Sequence, residues 1–267
     1  MNFTRAIPLV FAALLAGTGL NLAAAPAAAR PEKERSNATL QAGQRVAREL
    51  LSQRPLENSS VRGTIKIRPK KGRSREISFK SEIIVGTNSW NSGYETEATP
   101  EVPATRLTIV HAESRAAQFL LETSDANGVF GAPRALTWKE SLKPFAGSDF
   151  RIMDLAYPHS DHLAWPEQYI LSRDIRRSKA CYELESVNPN PANGGFAKVI
   201  SWIIVDNGAP AYIHGYDQQG KEVLRFEPQG IRKIDGVYQA TEFYIKNRKT
   251  GSRTTLKFDF DAATEAR

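Results

Sequence analysis

From residue 196 to residue 260 the sequence is one short strand-like run after another, joined by turn signals a few residues long, and this pattern confines the second half of the chain to a large antiparallel sheet. The run 196–205 (FAKVISWIIV) is dense in β-branched and aromatic residues and is followed by Asp206-Asn207-Gly208, a hairpin signal because Asn and Gly tolerate the positive φ of a type I′ turn. Runs over 211–216, 221–226, 237–247 and 254–260 follow, separated by the turn signals Asp217–Gly220, Asp235-Gly236 and Lys249–Gly251. In the last run Thr254, Leu256, Phe258 and Phe260 alternate with Thr255, Lys257 and Asp259, the period of a strand with one buried face. These runs carry almost no catalytic side chains, which points to a binding surface rather than a reaction.

The N-terminus reads as an export signal. Arg5 precedes an uncharged, mostly apolar stretch over 7–22, and Ala27-Ala28-Ala29 offers a small-residue cleavage site before Arg30. The expected organisation is a signal peptide over 1–29, a flexible segment over 30–36 and one domain over 37–267. The competing reading, an uncleaved anchor, is disfavoured because the apolar run falls short of the ~20 residues a spanning helix needs. With no Cys near the cleavage point, the expected product is periplasmic and not lipidated. The single Cys181 excludes an intramolecular disulfide and sits in a strand-like run (KACYELESV), where a structural thiol is expected. The net charge is +7, and loss of Arg5 with the signal leaves 35 Lys+Arg against 29 Asp+Glu, or +6. That excess suits anionic partners such as lipid headgroups, with peripheral membrane contact, and equally suits plain solubility. Nucleic acid is not expected as a partner of an exported chain. The basic stretch 68–75 (RPKKGRSR) reads as a solvated hairpin turn.

Along the rest of the chain, Asn37–Leu51 is predicted to be a helix with Val46, Ala47, Leu50 and Leu51 on one face, ended by Arg54-Pro55. Alternation over 61–67 and 77–85 predicts a hairpin, 106–111 and 117–122 a further strand pair, and 136–140 a short strand. Residues 88–103 are turn-rich and receive no element. Residues 142–166, with scattered aromatics and prolines and a helical stretch near Ile152–Ala156, read as a long crossing segment. Strands resume at 169–173 and 181–187, and 188–195 is a loop. The run 196–205 is apolar on both faces, so the sheet must be covered on both.

Six short motifs in order resemble the outer membrane lipoprotein-sorting protein family, relatives of the periplasmic lipoprotein carrier LolA. Gly147-Ser148-Asp149-Phe150 followed by Asp154-Leu155 resembles its GSDF-x-x-x-DL signature. Ala180–Leu184, the strand 196–206, Gly220-Lys221, Ile234–Tyr238 and the Thr254/Leu256 strand are similar to the family's later motifs, so the resemblance spans about residues 145–260. It implies a mainly β fold: a single curved antiparallel sheet of about 11 strands forming an open half-barrel, with a few short helices packed in the concave side. It also implies an apolar cavity for lipid or lipoprotein acyl chains, with Trp138, Phe145, Phe150, Leu155, Trp165, Trp202 and Tyr212 as lining candidates, each of which alone is more simply core. No cofactor, metal or catalytic residue is implied.

Three functions follow in order of support. The first is an exported carrier of acyl chains. The second is an envelope interaction or regulatory protein that uses the same fold to bind inner- or outer-membrane proteins. The third is a hydrolase built on His111 or His214 with a nearby Ser or Asp, for which no motif speaks. Asp149 is expected to cap the helical turn after it. His159-Ser160-Asp161-His162 is expected to be a surface loop, because zinc would need further ligands at clear spacing.

Overall fold

The computed structural model of the chain describes residues 35–112, 116–157, 160–191, 195–234 and 237–260. The export-type segment therefore lies outside the described residues. Thirteen strands form one antiparallel sheet: β1 (Ser59–Arg68), β2 (Arg75–Val85), β3 (Ser89–Thr96), β4 (Thr105–Ala112), β5 (Gln118–Thr123), β6 (Arg134–Ala135), β7 (Glu167–Arg176), β8 (Lys179–Val187), β9 (Lys198–Ile204), β10 (Pro210–Tyr216), β11 (Glu222–Ile234), β12 (Val237–Asn247) and β13 (Arg253–Asp259). Their order is β6-β5-β4-β3-β2-β1-β13-β12-β11-β10-β9-β8-β7, so the sheet is open, with β6 and β7 as its edges. It consists of two meanders, β1–β6 and β7–β13, stitched where β1 pairs with β13 from Arg62↔Asp259 to Arg68↔Arg253. This is the mainly β, open LolA-like sheet that the motifs imply, with 13 strands rather than about 11.

The chain divides into two compact units, one holding residues 54–160 and 228 onward, the other the helix before residue 53 and residues 161–227. In the first, alternation buries Ile65, Ile77, Phe79, Ile83, Tyr94, Leu107, Ile109, Phe243, Ile245, Leu256 and Phe258 on one face. The turn-rich stretch 88–103 contains β3, whose small residues Ser92 and Gly93 mask a period-2 pattern in which Trp90, Ser92, Tyr94 and Thr96 are buried. The strand expected at 136–140 is instead a single helical turn, α2 (Trp138–Ser141). Thr137 Oγ1 accepts the Glu140 N–H while Glu140 accepts the Thr137 N–H, and this capping box outweighs strand propensity.

In the second unit the helix α1 (Asn37–Leu51) starts at Ser36, whose Oγ accepts the Thr39 N–H while Thr39 Oγ1 accepts the Ser36 N–H. Gly43, Val46, Ala47 and Leu50 form its buried stripe. Gly43 is there for close approach rather than flexibility: a Cβ would stand 2.2 Å from the Gln168 carbonyl oxygen of β7. Gln168 is itself 1 % exposed and donates to the carbonyls of His162 (2.7 Å) and Trp165 (2.9 Å) while accepting from Ser186 Oγ (2.7 Å), which fixes the 3₁₀ turn Asp161–Ala164 to β7 and β8. His162 is consequently buried, not part of a surface loop, and His159 lies outside the described residues. In β9, residues Val199 to Ile203 are all buried, as its two apolar faces require. Only Gly208 has positive φ in the following turn (66°), so the 206–208 connection is not a type I′ turn. β11 runs on past residue 226, through Pro228, to Ile234.

Candidate functional site

The first unit holds a continuous aromatic layer. Phe79 meets Phe258 edge-on at 5.4 Å and Tyr94 at 6.4 Å, Phe258 meets Phe243 at 5.9 Å, and Phe145 reaches Tyr94 at 6.2 Å. Two short 3₁₀ turns lie in the same layer: Phe145–Gly147 and Ile152–Ala156. Together with the link between them they bury Phe145, Phe150, Ile152, Met153 and Leu155. Tyr94 Oη donates to the Leu155 carbonyl at 3.4 Å, and burial raises the phenol's pKa, so it stays a neutral donor.

The GSDF-type motif is the fastening of these turns. Ala146 (φ 48°) and Gly147 (φ 68°) reverse the chain, and the Gly147 carbonyl accepts from Arg75. Ser148 Oγ accepts the Phe150 N–H at 3.1 Å. Asp149 does not cap the following turn; it points at β13. Its Oδ1 accepts from Ser252 (2.5 Å), its Oδ2 accepts from Thr254 Oγ1 (2.9 Å), and its N–H donates to that same Thr254 oxygen (3.0 Å). The capping role falls to Asp154, which accepts the Arg151 N–H at 2.8 Å and pairs with the Arg151 guanidinium at 2.5 Å. Two resemblance motifs 105 residues apart, Asp149 and Thr254, thus form a single latch.

In the second unit the two faces of the sheet differ. On one, Trp165 packs with Phe196, Val199, Val223, Ile213 and Leu224. On the other, Trp202 packs with Cys181, Ile200, Ala211 and Tyr212 and meets His214 at 4.9 Å, with Arg176 over its ring and Arg177 over that of Tyr212. This second face also carries buried Glu185, bound by Arg35 (2.8 Å) and Lys198 (3.2 Å). Burial alone would raise the Glu185 pKa, but the two hydrogen-bonded cations outweigh it and hold the carboxyl below its usual range. Burial pushes the Cys181 thiol up, which suits a structural cysteine.

Of the seven lining candidates, Phe145, Phe150 and Leu155 come together over the aromatic layer. Trp138 is 46 % exposed on α2, and Trp165 lies on the opposite face of the sheet from Trp202 and Tyr212. The candidates miss Phe79, Tyr94, Phe243 and Phe258, whose only sequence signal is the strand alternation itself. Ser92 Oγ and His111 Nε2 stand 3.0 Å apart, a spacing a nucleophile and base can use, but they are 4 % and 1 % exposed and His111 is stacked on Trp90 at 3.5 Å. No cluster of three potential metal ligands occurs among the described residues, and no helix there is long and apolar enough to cross a membrane.

Comparisons with known proteins agree with this architecture. A DUF1329 family protein from Desulfovibrio piger is 16 % identical with a TM-score of 0.66, covering 83 % of this chain and 92 % of its own. A putative outer membrane lipoprotein-sorting protein domain from Vibrio parahaemolyticus is 16 % identical with a TM-score of 0.65, over 82 % and 91 %. A LolA superfamily protein from Nitrosomonas europaea is 16 % identical with a TM-score of 0.55, over 83 % and 91 %. At such identities the likeness is one of fold. No curated protein matches the chain. A family model described as "-like: Uncharacterized protein" matches residues 130–263, half of the sequence, and this match spans the Asp149–Thr254 latch, the two 3₁₀ turns and the strands β7–β13. The chain belongs to that family, and its fold is the LolA-like sheet of the outer membrane lipoprotein-sorting group.

Proposed function

We propose that this chain is an exported, non-enzymatic carrier that holds lipid or lipoprotein acyl chains against the aromatic layer of its first unit, with residues 145–156 as the lid. The observation that carries this reading is the cover itself. A layer of rings on paired strands is closed by two short 3₁₀ turns and a few polar contacts instead of by a long helix. The energetics permit exchange. Displacing Phe145, Phe150 and Leu155 forfeits roughly 1.5–3 kcal/mol each, whereas about a dozen methylenes entering the same layer contribute on the order of 10 kcal/mol. The two terms are therefore of comparable size, so an acyl chain can exchange with the lid's own side chains, and no polar readout is needed.

The test is displacement of a fluorescent fatty acid from the purified protein. Saturable uptake that competes with unlabelled acyl chains, and that accelerates when Thr254 is replaced by Val, supports the carrier. Absence of uptake, together with a stable protein partner recovered by crosslinking, would favour the envelope-interaction reading instead.

A further inference from the structure

We propose that the end of the sheet formed by the tips of the β1–β2 and β12–β13 hairpins is a docking surface for an anionic lipid bilayer. Residues 68–75 carry five Lys/Arg and residues 246–253 carry four, with no Asp or Glu in either window. The fold brings the two windows together. Lys70 packs so closely on Gly251 that a Cβ there would stand 2.9 Å from the lysine stem. In the sheet behind them Arg68 lies directly opposite Arg253, and Arg253 directly opposite Lys246. Like charges in facing cross-strand positions destabilise a sheet, so three in a row on adjacent strands are an arrangement that folding alone disfavours and that an anionic partner relieves. Two acids adjoin the windows and each is already engaged: Glu76 pairs with Lys66 and also attracts Arg68, and Asp149 is held by Ser252 and Thr254.

The chemistry selects a bilayer over a protein. Neither window holds an apolar side chain larger than proline, so the tips offer no anchor or pocket of the kind that carries a protein interface. A field of exposed cations on two projecting turns instead matches a diffuse layer of headgroup phosphates. The inference deepens the carrier reading, because the β12–β13 tip also carries Ser252, which holds Asp149, so docking brings the bilayer to the latch of the lid.

The experiment is co-sedimentation of the protein, processed as the cell leaves it, with vesicles of phosphatidylcholine alone or mixed with phosphatidylglycerol. A patch variant (Lys70→Gln, Lys71→Gln, Arg73→Gln) is compared with a control of equal charge loss at exposed positions elsewhere (Arg45→Gln, Lys139→Gln, Lys221→Gln). At about fivefold per cation, the patch variant is expected to bind the anionic vesicles about a hundredfold more weakly, and binding is expected to fall with salt. The control should stay near wild type. Equal loss in both variants, unchanged binding by the patch variant, equal binding to the neutral vesicles, or capture on an acidic protein without vesicle binding would each overturn the proposal. Fatty-acid uptake from solution is measured in parallel. Vesicle binding without uptake leaves docking standing and removes the carrier reading, and uptake without charge-dependent vesicle binding does the reverse.

Discussion

Replacing Thr254 by Val should unfasten the lid without unfolding the sheet. Thr254 is fully buried, and Val has nearly its shape and a comparable strand preference, so β13 keeps its packing. Two hydrogen bonds are lost: the Asp149 N–H to Thr254 Oγ1 at 3.0 Å, and Thr254 Oγ1 to the Asp149 carboxylate at 2.9 Å. A neutral bond of this kind contributes about 1 kcal/mol and one to a charged group about 1.5–3 kcal/mol. Ser252 still holds the other carboxylate oxygen and Asp149 can turn toward water, so the net cost should be about 2 kcal/mol, which is about 30-fold in the equilibrium between closed and open lid. Hydrogen exchange reads this directly. The Phe145 N–H, bonded to the Phe150 carbonyl, and the Ile152 N–H, bonded to the Lys143 carbonyl, should exchange about 30-fold faster, while amides in the middle of β12 change far less. Fatty-acid uptake should accelerate in step. Unchanged exchange in residues 145–152, or acceleration spread evenly over the whole sheet, would refute the assignment of Asp149 and Thr254 as a local latch.

Two further outcomes are expected in the second unit. Gly43→Ala should destabilise the protein even though Ala is the better helix former by about 1 kcal/mol, because the new Cβ would strike the Gln168 carbonyl 2.2 Å away; urea unfolding with a midpoint at or above wild type would contradict the close-approach reading. Glu185→Gln should cost about 2 kcal/mol, since it leaves Arg35 and Lys198 without their shared carboxylate, discounted because Arg35 is half exposed. Glu185 is held below the ordinary glutamate value of 4.5, so its contribution is complete above that value and is lost as the pH falls through the lower folded one. Wild type and Glu185→Gln should therefore converge in stability under acid and separate toward neutrality, and a constant gap across that range would exclude the linkage.

What the sequence revealed follows the physics of each signal. α1 was legible over Asn37–Leu51 because its apolar stripe is local. The strands with strict alternation, β1, β2 and β13, were legible for the same reason. β3 was not, because Asn91, Ser92 and Gly93 imitate a loop and only the sheet neighbours β2 and β4 impose the extended form. β11 was read only over 221–226, whereas the strand continues through Pro228 to Ile234, a proline that breaks isolated strands but is accommodated here within a longer one. The site divides in the same way. The motif marked Asp149 and Thr254 as separate signals, but their pairing is a tertiary contact that no local pattern encodes. The aromatic candidates were chosen by residue type, which cannot tell Trp165 from Trp202 on opposite faces of one sheet.

The most direct test of the carrier account is native mass spectrometry of the protein purified from its own envelope, followed by denaturation and analysis of what is released. The account predicts a population heavier than the chain by the mass of a bound lipid, lost on unfolding. A single species at the mass of the bare chain, with no lipid released, would contradict it.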